Sequence, residues 1–543
     1  MSLLHDIPIL SIIMLSPLLG LLIVQLFPPG RSGWIRLAAV AATLVPLALS
    51  LWLYADYNKG RGGSYEELLT WLTIPLNGET LQNRSADYAF TVQYVLGIDG
   101  LSLPLVLLAT VVAAMAALAA VHVKKRQKAF YSWFLLLETG MLGVFMARDL
   151  FLFFIFFEIT LVSLYFLIGI WGLYNRERAA NLFLLYNGIG SALMLIAFIL
   201  LTVTAGFRIE ETEGSLQFLY SGSYGDLARN MADPQAWANI PAELAGGANP
   251  FYMSGTMSWT IFILLLIAFG IKLPVFPFHT WMLKVHREAP AAVVMIHSGV
   301  LLKMGAYGLL RFGVYLFPEQ AKQSAAVLAA LGLVNLLYGA LIAFRQTELR
   351  LVLAYSSVSH MGIVLLGLAA MNEIGLQGAA FQLVSHGLIS ALLFLILGSL
   401  YERTRTTELS ELAGLARSMP FMGGMLLTAG LASLGLPGLS GFVGELLSLL
   451  GLFESRRWLT AAAVLGIVLT AAYMLRAVMK ITFGPQQDRH AALKDARFIE
   501  AMPMIALLAF IVLLGCYPAV LTDTLQPAVA GLVDQLLAVR AGD

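Results

Sequence analysis

Apolar segments of about 20 residues alternate with polar connections along the chain. A helix of roughly 20 apolar residues spans a bilayer, so the pattern predicts an all-α polytopic membrane protein. Segments seven and twelve are too long for simple spans and contain Pro or Gly, so broken helices are expected there. We predict about 14 transmembrane helices, at 7–27, 34–54, 100–121, 130–147, 149–171, 181–205, 257–285, 290–316, 323–344, 350–371, 375–400, 418–454, 457–483 and 501–522.

The composition agrees with a membrane location. Of 543 residues, 59% are hydrophobic and only 12% charged, whereas soluble domains carry about 25% charged residues. The net charge of +1 gives no basic field for nucleic acid, so the lipid bilayer is the expected surrounding. The single cysteine, Cys516, excludes iron–sulfur ligation by this chain. Its apolar surroundings predict a small buried residue.

Lys and Arg are unevenly distributed between the two sets of loops. Loops after odd-numbered spans hold 19 of them, and the other side holds 11. The loops after even-numbered spans include two long polar ones, Ala55–Asp99 and Gly206–Thr256, whose sequences indicate no function. The positive-inside rule predicts that both termini lie outside.

Two segments with Leu-Pro inside a span suggest internal symmetry. They are IKLPVFPF (271–278) and LGLPGLSGF (434–442). Their spacing predicts inverted repeats of five helices, spans 4–8 and 9–13. Chance similarity between Ala- and Leu-rich helices remains the alternative.

Ionisable residues inside predicted spans are the candidate functional groups. Charge in a bilayer is costly, so such residues face a bundle interior or wet cavity and have partners. Either they form a proton path or they only fix helix packing. Glu158 and Lys272 would form a charged pair if spans 5 and 7 touch. Six groups lie well inside spans, and two histidines are similar: Glu138, Glu158, Lys272, Lys303, His360 and Glu445, with His297 and His386.

The histidines suit a proton relay because they titrate near neutral pH. His279 and His286 lie seven residues apart on one helical face, but His286 in KVHREAP is expected in the following loop. His360, in AYSSVSHMG, indicates either a hydroxyl-lined path or a polar helix interface. His386 is flanked by small residues, so close helix packing explains it equally well.

Several motifs together resemble one family. They are LFLFFIFFEITLVSLYFLIGIWG (150–172), FGIKLPVFPFHTWMLKVHREAP (269–290), GVLLKMGAYGLLRF (299–312), LAYSSVSHMG (353–362) and GLPGLSGFVGE (435–445). Over about residues 100–485 the chain resembles the antiporter-like membrane subunits of complex I, which are homologous to Mrp-type Na⁺/H⁺ antiporter subunits. Glu445 and the short segment after the last span resemble the subunit M (chain 4) branch.

The resemblance implies a role for each matching residue. Glu158 and Lys272 become the charged pair, Lys303 the central relay and Glu445 the exit-side group. Glu138 is expected to assist Glu158, and His279, His297, His360 and His386 are supporting relay candidates. One departure is Arg350-Leu351, where relatives usually show Lys-Arg. The implied organisation is two N-terminal spans with an outer loop (1–99), a proton-translocation domain (100–485) and a last span with a tail (486–543).

The implied function is proton translocation driven by quinone reduction elsewhere in NADH:quinone oxidoreductase, in a bacterial inner membrane. No cofactor or metal is expected in this chain, and FMN, iron–sulfur clusters and quinone would belong to other subunits. The expected partners are other membrane subunits, especially the antiporter-like subunits L and N. An Mrp-type Na⁺/H⁺ antiporter subunit is the alternative with the same fold, and a structural scaffold is the alternative from another class. Co-purification with NADH-oxidising subunits separates the first two.

Overall fold

Helices account for most of the structure. The computed structural model describes residues 8–61, 65–76, 86–212, 215–241, 243–244, 249–485 and 487–541. Within those ranges the α-helices are α1 (Ile9–Leu26), α2 (Ser32–Asp56), α3 (Ser102–Ala119), α4 (Gln127–Met146), α5 (Leu150–Trp171), α6 (Arg176–Thr204), α7 (Tyr224–Ala232), α8 (Gly255–Lys272), α9 (Thr280–Glu288), α10 (Ala291–Ile296), α11 (Leu302–Gly308), α12 (Pro318–Gln323), α13 (Ala325–Arg345), α14 (Leu349–Ala369), α15 (Glu373–Thr404), α16 (Pro420–Ser433), α17 (Ser440–Ser455), α18 (Arg457–Phe483), α19 (Phe498–Cys516) and α20 (Ala519–Ala541).

Thirteen helical segments of the described chain are long and apolar enough to cross a membrane. One of them, Ala291–Val314, joins α10 and α11 through π-helical turns. The twelfth predicted span is absent from the thirteen because it consists of α16, with 14 residues, and α17, with 16. The polytopic helical architecture is therefore as predicted, whereas the number of crossings and the inverted repeat stay predictions.

The seventh predicted span breaks after Lys272, where α8 ends and irregular backbone runs to α9. Pro274 and Pro277 lie in this break and have no backbone N–H to continue a helix. Broken backbone in a membrane needs protein partners, and Asn335 of α13 supplies them. Its Oδ1 accepts from Phe276 N at 2.7 Å, and its Nδ2 donates to Pro274 O at 3.3 Å.

The twelfth predicted span breaks between α16 and α17, at Leu434–Leu439. Gly435 and Gly438 have φ of +79° and +92°, which disfavour side chains with a Cβ. Gly515 of α19 packs against this break, since a Cβ there would lie 2.4 Å from Gly438 O. The glycines thus allow both the turn and the close approach of another helix.

Cys516 is exposed, so the prediction that it is buried is wrong. The buried residues of α19 include Met504, Leu507, Ile511 and Leu514. Cys516 lies off that helical face, at the end of the helix.

The two long polar loops meet in a four-stranded sheet, which the sequence pattern did not predict. Its strands are β1 (Glu66–Pro75), β2 (Ala86–Gly97), β3 (Phe207–Thr212) and β4 (Ser215–Ser221), in the order β1-β2-β4-β3. The first loop supplies β1 and β2, the second supplies β3 and β4, and β2 pairs in parallel with β4. Both loops therefore lie on the same side of the bundle, although parts of each fall outside the described residues.

The chain after the last predicted span forms α20, which packs across the ends of several helices on the sheet side. Thr524 Oγ1 contacts Tyr54 OH of α2 at 3.0 Å. Gln377 Nε2 donates to Thr522 O at 3.1 Å, and Lys322 Nζ donates to Leu536 O at 3.2 Å. The predicted tail is thus a helix that ties α2, α12 and α15 together.

Candidate functional site: a row of buried titratable groups

Lys303 is fully buried in α11. A π-helical turn, His297–Leu301, comes just before it, and such turns often occur at functional sites. Lys303 Nζ donates to the carbonyl of Ser298 in that turn, and lies 2.9 Å from His386 Nδ1 on α15. The lysine thus has one fixed acceptor and one titratable neighbour.

Two histidines connect Lys303 with Glu445. The rings of His386 and His360 have centroids 5.2 Å apart. His360 Nδ1, on α14, lies 3.3 Å from Glu445 Oε1 on α17. All of these side chains are buried, with at most 5% of their surface exposed. The structure therefore brings together four predicted residues from four different helices.

His360 has further partners that depend on its protonation. Gln382 Nε2 lies 3.4 Å from His360 Nδ1, and Ser433 Oγ lies 3.4 Å from Nε2. A neutral Nδ1 accepts from Gln382, whereas a protonated Nδ1 donates to Glu445. The two arrangements exclude each other, so a proton on this nitrogen changes its partner.

Lys272 and Glu158 lie within electrostatic range of each other but form no hydrogen bond. Lys272 Nζ is 4.7 Å from the ring centroid of Phe157 and 5.6 Å from that of Phe183. Glu158 Oε1 is buried and has no hydrogen-bond partner among the described residues. The predicted pair is therefore close in space, with aromatic rings around the ammonium group.

His286 and His297 form a hydrogen-bonded pair, with Nε2 of the first 2.9 Å from Nδ1 of the second. Both are fully buried, so the placement of His286 in a loop is wrong: α9 continues to Glu288. Lys272 and Lys303 both interact electrostatically with His297. His297 thus interacts with both lysines and links the Glu158–Lys272 pair to the residues around Lys303. We call the whole set the row: Glu158, Lys272, His286, His297, Lys303, His386, His360 and Glu445.

Two predicted residues do not join the row. His279 is 2% exposed and packs against the rings of Phe276, Tyr338 and Tyr355. Neither of its nitrogens has a hydrogen-bond partner among the described residues, and both oxygens of Glu138 are likewise buried and unpartnered there. Within the described part of the chain, no hydrogen bond or ion pair connects Glu138 with another residue, so its role in assisting Glu158 stays a prediction.

The sequence interpretation missed Gln382 and Ser433, which hold His360. Gln382 lies four residues before His386 and is therefore on the same helical face, a signal that was available. A cavity of about 10 Å³ also touches Ser356, Ser357 and His386, and it has room for about one water molecule. The serines of AYSSVSHMG thus lie beside the relay, and Tyr473 OH donates to Ser356 Oγ at 2.8 Å.

A second charged cluster lies at the sheet side. Asp99 Oδ2 accepts from Arg311 NH2 at 2.6 Å and from Arg148 NH2 at 3.2 Å. Burial raises the pKa of Asp99, but the two guanidiniums outweigh burial and hold it below its usual range. This cluster joins the loop before α3 to the end of the Ala291–Val314 helix.

Asp149 lies beside that cluster at the start of α5. Its Oδ1 accepts from the backbone N–H groups of Phe151 and Leu152 at 2.9 and 3.1 Å, which makes it the N-cap. Burial raises the pKa of Asp149 to about 6 in spite of these bonds.

Comparison with known proteins identifies the family. The family model described as NADH:quinone oxidoreductase/Mrp antiporter, TM, matches residues 147–470. The chain belongs to this family. The matched range lies inside the predicted domain 100–485, although the three-part division of the chain itself stays a prediction.

Curated relatives of this antiporter-like chain agree with the resemblance to subunit M. It is 38% identical to NAD(P)H-quinone oxidoreductase chain 4 2 of Thermosynechococcus vestitus, covering 95% of this chain and 90% of the relative. It is 34% identical to NADH-quinone oxidoreductase subunit M of Rhodobacter capsulatus, covering 97% and 96%. The predicted resemblance is confirmed.

Two solved structures share the fold. A chain of respiratory complex I from Thermus thermophilus superposes with a TM-score of 0.78 at 28% identity, covering 97% of this chain and 99% of that one. A chain of the Mrp complex from Dietzia sp. DQ12-45-1b gives 0.75 at 21% identity, with coverage of 98% and 99%. At 21% identity, the similarity to the Mrp chain shows a shared fold alone.

Proposed function

We propose that this antiporter-like chain is a proton-translocating membrane subunit of an NADH:quinone oxidoreductase. The observation that carries the proposal is the continuous connection from Lys303 through His386 and His360 to Glu445. Proton transfer needs titratable groups within hydrogen-bond reach or one water apart. Two of the three steps have donor–acceptor distances of 2.9 and 3.3 Å.

Each residue has a defined task in this proposal. Lys303 gives a proton to His386 Nδ1 and becomes a neutral amine. His386 passes a proton to His360, whose ring centroid is 5.2 Å away, by way of the small cavity beside the two rings. That cavity is lined by His386 and Ser433, and Ser433 Oγ lies 3.4 Å from His360 Nε2, so one water in the cavity and the Ser433 hydroxyl would carry the proton. A protonated His360 then turns from Gln382 to Glu445, which receives the proton.

Lys272 controls that relay electrostatically. When Glu158 is ionised, it stabilises the ammonium of Lys272. When the two separate, the charge on Lys272 acts on His297 and, through it, on Lys303. Opening or closing the Glu158–Lys272 pair would therefore change how readily Lys303 gives up its proton. FMN, iron–sulfur clusters and quinone are assigned to other subunits.

The alternative function is Na⁺/H⁺ exchange in an Mrp-type assembly. The Mrp complex from Dietzia has the same fold, and the matching family model includes both groups. The relatives with 34–38% identity carry complex I names, and this favours the oxidoreductase. Subunits L and N are the proposed neighbours, in a bacterial inner membrane with both termini outside.

The test uses the purified, reconstituted complex. NADH should drive acidification of vesicles, followed with a pH-sensitive dye, and Lys303→Ala should abolish it while the subunits still co-purify. Exchange of Na⁺ for H⁺ without NADH, together with co-purification lacking NADH-oxidising subunits, would support the Mrp alternative instead.

A further inference from the structure

A cleft lies apart from the relay, at the end of the bundle where the positively charged loops lie. Its volume is about 300 Å³, and it is bounded by the ends of α3, α5 and α15 and the starts of α6, α10 and α14. A neighbouring cavity of about 630 Å³ surrounds residues 172–178 and shares Arg176 and Tyr401 with it. None of the proposed relay residues lines either cavity.

The charges that line this cleft are mostly positive. The carboxylate that lines it, Glu402, pairs with Arg405 at 3.1 Å, and His122 pairs with Glu500 at 2.9 Å. The other lining cations have no carboxylate within ion-pair distance among the described residues: Lys124, Lys125, Arg176 and Arg350. Among the described residues, the cleft therefore has more cations than carboxylates in ion-pair contact with them.

Arg350 is the strongest indication of a ligand. Only 5% of its surface is exposed, and its NH1 donates to two carbonyls, Arg287 O at 2.9 Å and Ala289 O at 3.3 Å. Its Nε has no hydrogen-bond partner among the described residues. Glu288 and Glu348 act on Arg350 electrostatically, and its guanidinium lies 5.0 Å from the ring centroid of Tyr401. A buried charge is normally paired, yet no carboxylate of the described residues lies within ion-pair distance of this guanidinium.

The start of α6 adds a second, independent feature. This helix has 29 residues, and the side chain of its N-cap, Asn175, makes no capping bond. The backbone N–H of Asn175 donates to Glu288 Oε2 at 2.9 Å, and no side chain of the described residues accepts from the N–H groups of the first turn. Residues of its first turn line the neighbouring cavity, including Arg176. Helix N-termini present free N–H groups and favour anions. The start of α6 and the guanidinium of Arg350 therefore border two adjoining cavities that share lining residues.

We propose that this cleft binds a phosphate group, carried either by an anionic phospholipid or by free phosphate. Arg suits phosphate because its planar fork donates two parallel hydrogen bonds. Basic pockets between transmembrane helices on the positively charged side bind anionic headgroups. Trp171, whose Nε1 donates to Lys125 O at 2.7 Å, and Ile170 give the cleft an apolar wall that suits a lipid.

The experiment measures bound phospholipid on the purified, delipidated whole complex. Phosphatidylglycerol, phosphatidylethanolamine and inorganic phosphate are added separately, and bound lipid is counted by native mass spectrometry. Arg350→Gln and Arg176→Gln should each weaken phosphatidylglycerol retention about fivefold, equivalent to ~1 kcal/mol per cation. Arg31→Gln, an exposed arginine in another loop on the same side, is the matched control and should change nothing.

The same experiment distinguishes an anionic phospholipid from free phosphate as the ligand. Retention of phosphatidylglycerol but not phosphatidylethanolamine, with headgroup density at Arg350 by electron microscopy, supports a lipid. Density at Arg350 with inorganic phosphate alone, and no lipid retention, supports free phosphate. If Arg350→Gln fails to assemble, the exposed pair Lys124→Gln/Lys125→Gln replaces it. Equal binding by the wild type and all cleft variants would overturn the proposal. Because the experiment measures bound lipid and not proton pumping, its outcome is independent of the proposed function.

Discussion

Lys303 Nζ lies 2.9 Å from His386 Nδ1, so a lysine of α11 and a histidine of α15 form a buried pair. No carboxylate of the described residues is in direct contact with either side chain. The small residues that flank His386 also pack closely against a neighbouring helix. A Cβ on Gly387 would lie 2.6 Å from Gly299 O. The small neighbours bring α15 close to the π-helical turn, and that approach places His386 beside Lys303.

This pair predicts that His386→Gln stops proton transfer without unfolding the chain. Glutamine keeps hydrogen-bonding capacity but cannot carry a proton, and losing a positioned acid–base group reduces rates by about 10²-fold. The measurement is NADH-driven pumping by the reconstituted complex. His279→Gln is the matched control, because His279 is equally buried but lies outside the row. Equal loss in both variants would contradict the assignment.

Glu158→Gln and Lys303→Ala should abolish or strongly reduce both pumping and coupled NADH:quinone activity. Glu158 modulates Lys272, and Lys303 is the donor to His386, so each variant interrupts the row at a different point. Lys480→Ala, an exposed lysine at the end of α18, should behave as wild type. Near-normal pumping in either relay variant, with assembly confirmed on native gels, would show that the relay is wrongly assigned.

Much of the row could be predicted because charge stands out in apolar segments. Lys303 in GVLLKMGAY and Glu158 in FFIFFEITL need a buried partner wherever the helices pack. The partners could not be predicted, since His386 is 83 residues from Lys303. His286 was misplaced because its neighbours, Lys284, Arg287 and Glu288, are typical of a loop.

The sheet could not be predicted for a different reason. β1 reads EELLTWLTIP, and a register shift between Thr70 and Leu72 interrupts its alternation. The parallel pairing of β2 with β4 joins residues about 130 positions apart, such as Ala86 and Leu216. Local periodicity contains no information about such a contact.

Asp149 predicts a pH-dependent stability. Because burial raises its pKa to about 6, while an unfolded Asp titrates near ~3.9, the native state binds more protons between these values. The free energy of unfolding therefore falls as pH rises through this window, by at most ~3 kcal/mol. Asp149→Asn keeps the N-cap acceptor and removes this dependence.

Thermal unfolding of the purified complex at pH 5 and pH 8 measures that difference. Asp149→Asn should exceed wild type in Tm at pH 8, and the gap should shrink at pH 5. Asp233→Asn is the control, because Asp233 also accepts a backbone bond, from Gln235 N at 2.9 Å, but is exposed. If the difference in Tm between Asp149→Asn and wild type did not change with pH, the assignment of this pH dependence to Asp149 would be wrong.

The orientation predicts which loops an external reagent reaches. In a chain with Cys516 replaced by Ser, Thr73→Cys on the exposed edge strand β1 should react with an impermeant maleimide in intact cells. Lys125→Cys, on the opposite side, should react only after permeabilisation. The reverse labelling pattern would place both termini inside.

The position of Glu445 in α17 distinguishes a relay role from a capping role. A carboxylate shortly after a helix break could instead cap the second half-helix, but α17 begins at Ser440 and has no acidic residue in its first turn. The Oε2 atom of Glu445 lies so close to Gly435 that a Cβ there would be 2.5 Å away. Glu445 thus faces the break and His360 together.

A substitution series at Glu445 follows from this position. Glu445→Asp should keep most pumping, and Glu445→Gln should assemble but lose most of it, because glutamine cannot titrate. Glu445→Lys should retain some, since an amine can also exchange a proton with His360. A capping role predicts the opposite order, with Gln mild and Lys worst through repulsion at the helix start. Pumping ranked Gln near wild type and Lys inactive would leave Glu445 a structural residue and end the row at His360.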